Sequence, residues 1–132
     1  MKIFLAFLLT GVTLFSSPSA QAKSGFCSRV NELNKAASSL GTDVKTFNAL
    51  SKKIKDSTSS APSAIRADWK TLSDGFEKLN SLVGQVKKKG NAANSQKIQA
   101  EMQKVSNDPK LKVANDKITA WALKECGIDL NK

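Results

Sequence analysis

The stretch Ile65–Val86, IRADWKTLSDGFEKLNSLVGQV, decides the fold. Ile65, Trp69, Leu72, Phe76, Leu79, Val83 and Val86 recur at steps of three and four. At 3.6 residues per turn they share one face for about six turns, the pattern of a helix laid against a core. Gly75 and Gly84 weaken that helix by about 1 kcal/mol each relative to Ala, yet the stripe runs through both. Proline fits the first helical turn, so Ala61-Pro62 is the expected start. Lys87-Lys88-Lys89-Gly90-Asn91 is the expected end.

The same spacing extends in both directions. Upstream, Ser57–Ser60 forms a polar linker, and Val44, Phe47, Leu50 and Ile54 mark a second helix. Before it, Phe26, Val30, Leu33, Ala37 and Leu40 mark the first, with Gly41 as a left-handed stop and Thr42 as the next cap. Downstream, a shorter helix from about Asn94 carries Ile98, Met102 and Val105. Asn107-Asp108-Pro109 must interrupt it, because the residue before proline disfavours helical geometry and Asp caps well. The last helix carries Leu111, Ala114, Ile118, Trp121 and Ala122, and Gly127 ends it so that Ile128 packs back. No sustained period-2 run occurs, so no sheet is expected, and neither a repeat nor a second domain is visible.

The first residues read as a cleavable signal peptide. Lys2 precedes an apolar run, Ile3–Phe15, too short to span comfortably as a membrane helix. Pro18 follows, then Ala20-Gln21-Ala22, which puts small residues at the positions a signal peptidase reads. The expected cut is after Ala22, leaving a single helical domain over 23–132 with no transmembrane segment. Phe26 directly before Cys27 argues against a lipoprotein, whose attachment signal needs a small residue there.

Without residues 1–22, 20 basic residues stand against 11 acidic ones, a net +9 on 110 residues. The basic residues are 18 Lys and only Arg29 and Arg66. Two cysteines remain, Cys27 and Cys126, and an even count in an oxidising compartment reads as a bridge. It closes a loop of about 100 residues, for which the chain-entropy model allows up to about 4.7 kcal/mol.

That bridge constrains topology. Bridged Cα atoms sit ~5–6 Å apart, whereas each long leg spans ~20 Å or more. The start of the first helix meets the end of the last only if the number of antiparallel legs is even. Five helical segments must therefore make four legs of a small up-down all-α bundle. The pair around Asp108-Pro109 is the favoured merger and the pair around Gly41 the alternative.

Chemistry is hard to place on this chain. It has no His and no Tyr, and no CxxC motif. The usual general base near neutral pH is missing. Zinc and calcium lack ligands, and haem has only Met102 in the mature chain. The acids of the third helix, such as Asp68, Asp74 and Glu77, lie on its polar side, with Asp74 and Lys78 spaced for an i,i+4 ion pair. The expectation is a non-enzyme without cofactor or metal.

Lysine is the most unusual feature. Lys52, Lys53 and Lys55 end the second helix, and Lys87, Lys88 and Lys89 end the third. Cations near helix C-termini complement the macrodipole by about 0.3–1 kcal/mol each, and solvation accounts for many others. The total still exceeds what capping requires. It implies attraction to an anionic envelope polymer, an acidic lipid surface or an acidic protein. Specific nucleic acid is disfavoured by the export signal and by Lys in place of Arg. Trp69 and Trp121 fall on apolar stripes as core anchors; with Phe47 and Phe76 they could instead line a cavity, which would make the protein a carrier of a small apolar ligand.

A resemblance completes the reading. Phe26-Cys27, the run Ala61-Pro62-Ser63-Ala64-Ile65-Arg66-Ala67-Asp68-Trp69, and Cys126-Gly127-Ile128 follow a signal peptide in that order. The chain resembles a group of small exported helical proteins of actinobacteria with an Ala-Pro-x-x-Ile-x-x-Asp helix start and a late Cys-Gly. The resemblance covers the mature chain. It implies a wall or extracellular location, supports the bridge and implies no activity.

Overall fold

Phe26, Trp69 and Trp121 come from three different helices and meet edge to face at one end of the molecule. Their ring centroids are 4.8 Å apart for Phe26–Trp69 and 5.6 Å for Phe26–Trp121. In the computed structural model, which describes residues 18–39, 44–88 and 92–131, this cluster anchors five helices. They are α1 (Pro18–Ser38), α2 (Val44–Ser57), α3 (Arg66–Lys88), α4 (Ala92–Ser106) and α5 (Pro109–Trp121). There is no strand among the described residues. The expected apolar run Ile3–Phe15, the Gly41 stop, the Thr42 cap and Lys89-Gly90-Asn91 all lie outside them.

The four-legged bundle is present. α1 packs on α2, α2 on α3, and α3 on both α4 and α5, while the end of α5 returns to α1. α4 and α5 share the length of α3 and barely touch each other, so they form one bent leg. The bend is the expected Asp108-Pro109. Asp108 leaves helical geometry (ψ 119°), its carboxylate accepts the Lys110 N–H, and Pro109 occupies the first turn of α5. Opposite the bend, Gly75 makes room for Leu111: a Cβ there would stand 2.7 Å from Leu111 Cδ1.

The Cys27–Cys126 disulfide closes the ring, with the Cα atoms 5.4 Å apart. The chain reaches it through one widened, π-type turn, Ala122–Cys126. A turn with one extra residue keeps Cys126 on the side of Ile118 and Ala122, where α1 lies. Gly127 then ends the helix at φ 66° as expected, donating to the Leu123 carbonyl, and Ile128 donates back to Ala122.

Three boundaries differ from the sequence reading. α1 starts at Pro18, not near Cys27, because proline suits a first helical turn; the segment Ala20-Gln21-Ala22 is helical. The linker Ser57–Ser60 is helical too, α2 passing into a 3-10 turn over Thr58–Ser60. α3 starts at Arg66, not Ala61-Pro62. There Ala61 is fully buried, its carbonyl accepts the Arg66 Nε–H, and the Ile65 N–H donates to Pro62, so 61–65 form a packed turn.

The core is concentrated at the disulfide end. Phe26, Val30, Leu33, Leu50, Ile54, Ile65, Trp69 and Ile118 are all buried, each such side chain contributing about 1.5–3 kcal/mol of transfer free energy. Trp69 also ties α3 to α2, its indole N–H donating to the Ile54 carbonyl at 3.0 Å. Farther up α3 the burial fades: Leu79 and Val83 are half-buried and Val86 is 40% exposed. α3 has 23 residues where α2 has 14. With Phe47 stacked on Phe76, roughly the last two turns of α3 therefore extend past the start of α2, accompanied by α4.

Candidate functional site

The two lysine groups belong to different helices, α2 and the end of α3. Lys52, Lys53 and Lys55 are exposed on α2, directed to different neighbours. Lys55 bonds Glu77 of α3 at 2.5 Å, and this contact raises the lysine's pKa above its usual value. Lys53 lines a shallow groove with Arg29, Glu32 and Asp56, while Lys52 lines another with Asp56, Glu77 and Asn80. Each of these cations therefore has a carboxylate in its own surroundings.

A wide groove lies alongside, between the end of α2 and the start of α3. It is open, has a volume of about 980 Å³, and holds Lys55, Arg66 and Lys70 against Asp56, Asp74 and Glu77. Such a mixed lining has no net preference for an anion. Lys70 is bonded to Asp74 at 2.8 Å. This corrects the expected Asp74–Lys78 pair: the short Asp74 carboxylate is reached from the preceding turn, and Lys78 lines a groove with Asp74 and Asp108 without an ion pair to either.

The other group lies at the far end of α3. Lys88 is exposed, Lys87 belongs to the last turn of α3, and Lys89 lies outside the described residues. Their neighbours in the sequence set them apart. From Lys78 to Ala100 the chain has five lysines (78, 87, 88, 89 and 97) and no acid, the flanking acids being Glu77 and Glu101. The visible signal was this acid-free run, not the Lys87–Lys89 triplet alone. α3 and α4 bring its two halves side by side.

Trp69 and Trp121 are 3% and 9% exposed and pack against Phe26. Phe47 stacks on Phe76 at 5.7 Å. None of the grooves described above is lined by any of these four rings. Cys27 and Cys126 form the bridge. Among the described residues no group of His, Cys, Asp or Glu could hold a metal ion, and no helix is long and apolar enough to cross a membrane.

Compared with known protein families, curated proteins and solved structures, the chain matches none.

Proposed function

We propose that this is an exported, non-catalytic helical module that binds an anionic component of the cell envelope or an acidic partner protein. The observation that carries this reading is the five-lysine run without an acid between Glu77 and Glu101, which spans the end of α3 and the start of α4. Cations used only for solvation or helix capping are free to alternate with acids, as they do around Lys52, Lys53 and Lys55. The signal-peptide pattern of residues 1–22 and the bridge support an extracytoplasmic setting. The chain's lack of His supports the non-catalytic part. The apolar-carrier alternative has no comparable observation in its favour.

The test is thermal stability with anionic polymers, acidic vesicles and acidic proteins, at low and at physiological salt. Counterion release makes such binding fall steeply with salt. The expected outcome is a stabilisation by at least one anionic class that largely disappears at the higher salt. A salt-insensitive shift with an apolar compound would instead support a carrier.

A further inference from the structure

On the outward side of α3, Lys78, Ser81, Gln85 and Lys88 follow at steps of three, four and three, and all four are exposed. This is one helical stripe on the face away from Phe76 and Val83. Lys78 and Lys88 are ten residues apart, ~15 Å along the axis. Beside the stripe, the α3–α4 groove is lined by Leu82, Gln85, Asn94, Lys97, Ile98 and Glu101. Among the described residues Lys78, Lys88 and Lys97 form no ion pair, although Asp74 and Asp108 line the groove beside Lys78 and Glu101 lines that of Lys97.

We propose that this stripe is a docking track for a linear polyol-phosphate polymer, a chain of phosphodiesters joined by hydroxylated units. The inference rests on the anionic-partner reading above and names its substrate class and location. Charge complementarity supplies the attraction: lysines spaced along a rod suit phosphates spaced along a chain. Ser81 and Gln85 lie between the lysines and offer hydroxyl and amide groups to the polymer's hydroxyls. The run 78–100 has no aromatic residue, and both tryptophans are buried. Single-stranded nucleic acid is held by stacking on aromatic side chains, and membrane-surface segments insert Trp, Phe or Leu. The stripe has no such ring to offer, and its exposed large apolar neighbour is Val86. Of the non-protein anions, a polymer with charge and hydroxyls but neither bases nor a bilayer is what remains.

The experiment measures binding of the whole protein to synthetic poly(glycerol phosphate), to a single-stranded oligonucleotide of equal charge and to acidic phospholipid vesicles, all at low salt. Two variants of equal charge are compared, Lys78→Gln with Lys88→Gln, and Lys35→Gln with Lys53→Gln. All four lysines are exposed, so both variants should keep the parent's thermal midpoint. The first pair should weaken polymer binding about tenfold and the second less than about threefold. Equal weakening by both pairs would overturn the stripe and leave the anionic-partner reading standing. Oligonucleotide or vesicles bound as tightly as the polymer would overturn the choice of polymer. No binding to any of the three would overturn the stripe, and that reading falls with it if acidic proteins also leave the thermal midpoint unchanged.

Discussion

Trp69 shows how one residue can join several levels of this structure. It lies on the apolar stripe of α3, meets Phe26 edge to face, and bonds the Ile54 carbonyl through its indole N–H. Periodicity announces the first of these roles and is silent on the last, because a hydrogen bond across fifteen residues depends on how two helices cross. Trp69→Phe keeps a ring and loses the donor, and should destabilise by about 1–2 kcal/mol in urea unfolding with the slope unchanged. The glycines of α3 separate in the same way. A Cβ at Gly84 meets nothing within 4 Å, so Gly84→Ala should stabilise by about 0.5–1 kcal/mol. At Gly75 the Leu111 side chain must move aside, and Gly75→Ala should return less than Gly84→Ala in the same assay. Equal gains at both positions would remove the close α3–α5 approach from the account.

At the scale of elements, the merged leg depends on the Asp108 cap. Asp108→Ala leaves the Lys110 N–H without its acceptor and should cost about 0.5–2 kcal/mol. An unchanged unfolding midpoint would show that the bend is held by packing alone. Helix number and stripe faces were legible because every helix repeats its apolar residues at 3.6-residue spacing. Boundaries were less so. The packed turn at 61–65 is compact without being α-helical, and the widened turn before Cys126 follows from where α1 stands. The extent of α3 beyond its neighbours was also hidden, since a stripe records a face without saying how far another helix accompanies it. Val86 continues the stripe and is nonetheless 40% exposed.

Over the whole molecule, the aromatic cluster and the disulfide hold one end, and charge dominates the other. Reduction of Cys27–Cys126, which spans 99 residues, should lower stability by about 2–5 kcal/mol, read as a drop in thermal midpoint with reductant present. The bridge itself was legible from an even count of two cysteines, and the parity of the legs followed from it. The candidate site was legible only in part. That Lys55 is neutralised by Glu77, 22 residues away, emerges only once α2 and α3 are side by side. The acid-free run from 78 to 100 is plain in the sequence, but that the last turns of α3 within it extend past the start of α2 requires the fold. The most direct test is an NMR titration of the isotope-labelled protein with poly(glycerol phosphate) at low salt, following every amide. Shifts confined to 78–100 and reversed by physiological salt are the predicted result. Shifts centred on Lys52–Lys55, or insensitive to salt, would contradict the account.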